Sequence, residues 1–248
     1  MKLMEMSLEK FLSELGSASP APGGGSVAAL AGALAAALCR MVSALTAGKE
    51  KYRDSWADME RVGRESAVLE GRLRVLVDED TQAFRAVMET RRLPKGTDRE
   101  RQVREQALDN ASLTSANVPL STLEALRELS ALALCAADRG NPRCVTDAGS
   151  ASQMIRAGAL SAAYNVRVNL PSVRNPVARE ELQARTAKVL QEVIDETQRT
   201  ENIVEAYYSA HVSEWLSATL DYQFIDNPAY NADRGPVHIF GVRAHAEF

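Results

Sequence analysis

The chemistry this chain offers rests on Lys49, Asp80, Asn141, Asp147, Asn165 and Asn169, together with the backbone of Gly23-Gly24-Gly25-Ser26. Asp80 stands out by its position. It follows Val77 by three residues and precedes Phe84 by four, so it shares the apolar stripe of a helical repeat while Asp78 and Glu79 point elsewhere. A carboxylate on such a face needs a partner or a purpose. The residues themselves leave open an ion pair to a neighbouring helix, a face turned to water, and a proton-handling group. Asp147 opens another helix, where the helix dipole favours an ionised carboxylate and capping is its plainest role. Asn165 and Asn169 lie one turn apart on one face, able to orient a ligand by hydrogen bonding. The glycine triplet lets a backbone approach an anionic ligand at a helix N-terminus, or makes a tight turn between helices.

Several kinds of site are excluded. The histidines His211, His238 and His245 all fall in the last quarter of the 248 residues, so the main body holds no histidine-based triad or zinc site. No Gly-Lys-Ser/Thr follows the glycines, and no strand precedes them, which removes the phosphate loop and the dinucleotide fold. Cys39, Cys135 and Cys144 lack paired metal spacing and read as buried free thiols. A net charge of −4 with 5% aromatic residues gives neither the basic footprint nor the stacking platform of a nucleic-acid binder. The uncharged run Val27–Cys39 is short of the ~20 residues of a membrane span. It also begins too late for a signal peptide. A cytoplasmic chain is expected.

The elements that must position these residues are helices. Ser7 caps a short amphipathic helix with the stripe Leu8, Phe11, Leu12, Leu15. After Pro20-Ala21-Pro22, Ser26 is the expected N-cap of an alanine-rich helix, Val27–Ala47, whose lack of bulk suits the centre of a bundle. Apolar positions at helical spacing then run from Tyr52 to Met88 and stop at Pro94. A helix over about Asp98–Val118 is expected to end at Pro119, with another over Leu120–Asp138 closed by Gly140-Asn141-Pro142. Asp147–Leu170 is a second helix of small residues, which should pack against the first or against a symmetry mate. A polar helix runs from Glu180 to about Ala218. The fold class expected is all-α, an up-and-down bundle of long helices, dimeric, with a short irregular C-terminal extension. The domain limits expected are 1–218 for the helical domain and 219–248 for the extension.

Pro20 to Leu30, read as Pro-x-Pro-Gly-Gly-Gly-Ser-Val-Ala-Ala-Leu, resembles the opening of the formiminotransferase-cyclodeaminase family, in its cyclodeaminase/cyclohydrolase type. The likeness continues in order through Gly48-Lys49-Glu50-Lys51-Tyr52, Asp78-Glu79-Asp80 with Phe84, and Arg92-Leu93-Pro94. It then runs through Val118-Pro119-Leu120, Gly140-Asn141-Pro142, Thr146-Asp147-Ala148-Gly149 and Asn165 to Leu170. It covers roughly Leu8 to Thr200. Thr146 stands where a serine is expected, which keeps a hydroxyl, and the tail beyond Thr200 exceeds the usual single domain.

The resemblance implies a helical homodimer acting on tetrahydrofolate one-carbon derivatives. Such an enzyme closes 5-formiminotetrahydrofolate to 5,10-methenyltetrahydrofolate with loss of ammonia, or hydrolyses the methenyl compound to 10-formyltetrahydrofolate. It uses no redox cofactor and no metal. The matching positions make Asp80 and Asp147 the catalytic carboxylates, with Lys49 as acid or as anchor for a substrate carboxylate. Gly23, Gly24, Gly25, Ser26, Asn141, Asn165 and Asn169 become substrate-binding positions. With no transferase domain ahead of it, the stand-alone chain leaves a separate formiminotransferase as a partner. No nucleic acid and no membrane enters. The other reading is a non-catalytic helical protein that binds folate or a partner, its small residues serving packing alone.

Overall fold

The computed structural model describes residues 2–205 in full and the backbone of 206–207, 210–213, 216–225 and 237–246. It divides into two units, Met1–Glu201 and Asn202–Phe248. The helices are α1 (Leu8–Leu15), α2 (Gly24–Ala44), α3 (Trp56–Arg91), α4 (Asp98–Arg139), α5 (Val145–Asn169) and α6 (Pro176–Tyr207).

Helix α2 is the hub of the first unit and packs on α3, α4 and α5. Its Ala28, Ala29, Ala35, Ala36, Cys39 and Val42 are fully buried. The bulk comes from the helices around it, where Met59, Leu73, Leu123, Leu126 and Ile155 have no exposed surface. Small residues permit the close approach. A methyl group added at Gly32 would press into Leu126 and Leu73, and one at Gly158 of α5 would lie 3.0 Å from the Ala28 carbonyl of α2. The two small-residue helices therefore meet nearly backbone to backbone. Among the described residues α2 is the one helix long and apolar enough to cross a membrane, but 50% of that apolar window is buried inside the bundle, as in a core helix.

One strip of α2 stays uncovered. Val27, Ala31, Leu34, Leu38, Met41 and Leu45 follow one another at alternating spacings of four and three, the seam of a helix that pairs with another. Leu34 is 47% exposed, and Val27, Met41 and Leu45 are exposed beside it.

Three boundaries differ from the expectations. Helix α2 begins at Gly24 with Gly23 as its N-cap, so Ser26 lies inside the first turn and caps nothing of its own helix. Pro119 does not end a helix: α4 runs unbroken through it. Proline has no N–H for the carbonyl four residues back, and that carbonyl, of Ser115, instead accepts from Asn169 Nδ2 at 2.9 Å. Helix α6 stops at Tyr207, short of Ala218. It docks on α4 and α5 through Val193, which is fully buried, the Arg127–Glu192 pair at 2.9 Å, and Ser152 Oγ, which donates to the Thr197 carbonyl at 3.4 Å.

The all-α class holds for the helical unit. The second unit carries regular structure in place of an irregular extension: an antiparallel sheet of β1 (Ala210–Ser213), β2 (Leu216–Ile225) and β3 (Val237–Ala246), in the order β1-β2-β3. Leu216, Ala218, Leu220, Tyr222 and Phe224 alternate with Ser217, Thr219, Asp221 and Gln223, the period of two that a strand requires. Strand β2 pairs with β3 from Leu216↔Ala246 to Ile225↔Val237.

Candidate active site

The polar residues gather at the two ends of α2. At its N-terminal end, Asp80 of α3 supplies the cap that the glycines cannot. Ser26 Oγ donates to Asp80 Oδ2 at 3.1 Å, and the Ser26 backbone N–H faces the same carboxylate and helps hold it ionised. The first-turn N–H groups of a helix have no partner within it, and a carboxylate from another helix placed beside them meets the positive end of the dipole. Gly25 is required here, because a methyl group at that position would collide with Asp80 Oδ1. Burial pushes the Asp80 carboxyl above its usual range, opposed by the hydroxyl and the N–H of Ser26. A carboxylate poised in this way can take a proton or steady a developing cation.

Helix α5 completes this end. Ser161 Oγ donates to the Gly24 carbonyl at 3.1 Å. Asn165 Nδ2 lies 3.2 Å from where a Gly24 side chain would begin, so glycine leaves Asn165 its place. Asn165 Nδ2 donates to the Ser161 carbonyl at 2.9 Å, and Asn169 Nδ2 donates to the Asn165 carbonyl at 2.8 Å as well as to Ser115. Gly24, Gly25, Ser26, Asp80 and Asn165 thus form one group, with Asn169 a turn behind. Ser26 has no exposed surface, so it acts on a ligand only through Asp80.

The other end of α2 gathers Lys49, Asn141 and Asp147. Asn141 is engaged on every side: its Oδ1 accepts from Tyr52 OH at 2.6 Å and from the Arg143 N–H at 3.1 Å, and its N–H donates to Thr46 Oγ1 at 2.8 Å. It fastens the α4–α5 turn to the end of α2. Asp147 lies in the first turn of α5. The Cys144 thiol is pushed up first by burial and then by the Asp147 carboxylate, while the Lys49 ammonium lowers it, so both charges lie close to one sulfur. Among the described residues Lys49 and Asp147 make no ion pair. Both remain available to a ligand.

A single protomer does not bring the two groups together. Helix α2 separates them, and its 21 residues span about 30 Å at a rise of ~1.5 Å per residue. Asp80 and Asn165 lie at one end, Lys49 and Asp147 at the other. The structure adds Thr81, Ser161 and Tyr52 to the residues picked out from sequence. Ser161 had a readable signal, a hydroxyl one turn before Asn165 among alanines. Thr81 had none, being one more small polar residue on a core stripe.

A bundle built on a glycine- and alanine-rich hub, with a buried carboxylate capping it from a neighbouring helix, defines a helical class whose polar sites lie at the hub's ends. The family model described as Formiminotransferase-cyclodeaminase matches residues 7–188. The chain belongs to the formiminotransferase-cyclodeaminase family. It is 41% identical over 175 residues to a methenyltetrahydrofolate cyclohydrolase of Methylorubrum extorquens, covering 71% of this chain and 84% of that protein. It is 36% identical to the formimidoyltransferase-cyclodeaminase of Mus musculus, covering 77% of this chain but 35% of that longer protein. The structure of a formiminotetrahydrofolate cyclodeaminase from Thermotoga maritima superposes with a TM-score of 0.75 at 26% identity, covering 83% of this chain and 98% of that one. A second family model, described as Carbohydrate-selective porin, OprB family, matches residues 173–248, a stretch that includes α6 and the three strands.

Proposed function

We propose that this folate one-carbon enzyme hydrolyses 5,10-methenyltetrahydrofolate to 10-formyltetrahydrofolate. The observation that carries the reading is the 41% identity to a methenyltetrahydrofolate cyclohydrolase over 84% of that protein's length. Water adds to the cationic carbon between N5 and N10 and gives up one proton. The hydroxyl so formed then loses its own proton as the carbon–N5 bond breaks and N5 takes a proton up, which leaves the formyl group on N10 and releases one proton overall. Asp80, whose burial raises its affinity for a proton, takes the proton as a carboxylate and, while ionised, faces the positive charge. Asp147 adds a second carboxylate, Lys49 anchors the substrate's own carboxylate, and Asn165 orients the ring. This acid–base chemistry asks for neither a metal nor a redox cofactor.

The enzyme works as a homodimer in this reading. The uncovered apolar seam of α2 runs from the Asp80 end to the Lys49 end. Two such seams packed antiparallel bring the Asp80 group of one copy to the Lys49–Asp147 group of the other and make two composite sites.

Cyclisation of 5-formiminotetrahydrofolate is the second reading, favoured by the likeness to the Thermotoga maritima cyclodeaminase across 98% of that chain. A separate formiminotransferase would then supply the substrate. Absorbance of the methenyl compound, followed in parallel with ammonia release from the formimino compound, separates the two. Loss of the methenyl chromophore without ammonia supports hydrolysis. Ammonia with a rising chromophore supports cyclisation, and silence in both from a folded dimer refutes both.

A further inference from the structure

Behind Asp80 lies a second hydroxyl that the mechanism above does not use. Thr81 is 4% exposed, and its Oγ1 is 3.2 Å from Ser26 Oγ. Either oxygen of that contact is able to donate, but a hydroxyl has a single proton. Ser26 gives its proton to Asp80 Oδ2, so while Asp80 is ionised Thr81 must be the donor to Ser26. We propose that Thr81 is a positioning residue for Asp80: its hydroxyl donates to Ser26, directs the Ser26 proton onto the carboxylate, and allows the chain of hydrogen bonds to reverse when Asp80 takes up a proton. This inference rests on the reading of Asp80 as the proton acceptor.

The direction of donation alternates with the state of Asp80. With the carboxylate ionised, the order is Thr81 to Ser26 to Asp80, and each donor polarises the next. With Asp80 protonated on Oδ2, Asp80 donates to Ser26 and Ser26 to Thr81, so the carboxyl group keeps a partner in both states. Two adjacent buried hydroxyls achieve this, whereas an ammonium, which only donates, would hold the carboxylate in its ionised form. Among the described residues no charged side chain hydrogen-bonds to Asp80. Asp78 Oδ1 is occupied by the Leu3 N–H at 2.6 Å, and Glu79 and Arg167 are exposed. Arg85 lines a cavity that Thr81 also borders, together with Lys2, Glu5, Glu14 and Asp78. None of these hydrogen-bonds to Thr81, Ser26 or Asp80 among the described residues, and the one charged residue of α2, Arg40, pairs with Glu70 at 2.5 Å. The influences on Asp80 are burial and Ser26.

The test reads Asp80 directly and requires no turnover. The full chain is labelled with ¹³C at the aspartate carboxyls, Asp80→Asn identifies the resonance, and its titration is followed in wild type, Thr81→Val and Thr81→Ser. Thr81→Val removes the donor behind Ser26, so the Asp80 titration moves to higher pH by about 0.5 unit, and Thr81→Ser titrates with wild type. In a Ser26→Ala background Thr81→Val moves nothing, because the link is already cut. Thr81→Ala is read in the same way should valine not be tolerated. An unchanged titration in Thr81→Val overturns the proposal, as does an equal shift with and without Ser26. A chain that hydrolyses no folate sinks the functional reading while this titration still decides the role of Thr81.

Discussion

The side-chain amide of Asn169 donates to the Ser115 carbonyl at 2.9 Å, the carbonyl that Pro119 leaves without a helical donor. A residue picked out as a ligand for substrate thus has a structural task as well. Asn169→Ala leaves a partly buried carbonyl unpaired and costs about 1–3 kcal/mol, read from urea unfolding. In a Pro119→Ala background the backbone N–H returns, and the cost of Asn169→Ala falls. An equal cost in both backgrounds would show that the two residues are not linked.

Glycine at position 25 is set by contact with Asp80. A methyl group there collides with Asp80 Oδ1, whereas one at Gly71 of α3 meets nothing within 4 Å. Gly25→Ala is expected to lose about 1–3 kcal/mol through overpacking, together with the alignment of Asp80. Gly71→Ala is expected to gain up to about 1 kcal/mol from helix propensity. Thermal melts of both variants check the pair, and a neutral Gly25→Ala would contradict the packing of the hub against α3.

Much of this was legible in the sequence. The alternation of bulk, with alanine and glycine on α2 and α5 against leucine on α3 and α4, requires two thin helices inside two thick ones. Asp80 announced itself by standing on an apolar stripe. Pro119 misled because its local rule was overridden from 50 residues away by Asn169, a tertiary contact that no local pattern contains. Ser26 misled in the same manner, since the cap for its helix comes from α3. The strands were in plain view: the alternation begins at Leu216, inside the span assigned to the last helix. The division of the site between the ends of α2 was not legible, because spacing along a chain does not report which ends of antiparallel helices meet.

Asp80 makes stability depend on pH with a defined sign. Its folded-state pKa is raised above the ordinary value of 3.8. Its contribution is therefore complete below the unfolded pKa and is lost as pH rises through the folded one. Unfolding of wild type and of Asp80→Asn, compared between about pH 4 and about pH 8, should show wild type losing ground to the variant as pH rises. A gap that does not change with pH would mean that Asp80 is no more protonated folded than unfolded.

The apolar seam on α2 predicts the assembly. Leu34→Glu places a charge at the middle of the strip, on a residue already 47% exposed, so the fold tolerates it while the pairing does not. Light scattering should find wild type dimeric and Leu34→Glu monomeric and inactive. A dimeric, active Leu34→Glu would move the interface elsewhere.

The central claim, that each site takes Asp80 from one copy and Asp147 from the other, is tested most directly by complementation. Asp80→Asn and Asp147→Asn chains are each expected to lose about 10²–10⁴-fold in turnover of the methenyl compound. Co-expressed, they form mixed dimers in which one site carries both substitutions and the other carries none. Recovery of roughly a quarter of wild-type turnover in the statistical mixture is the result the account predicts. A mixture no more active than its parents would contradict it.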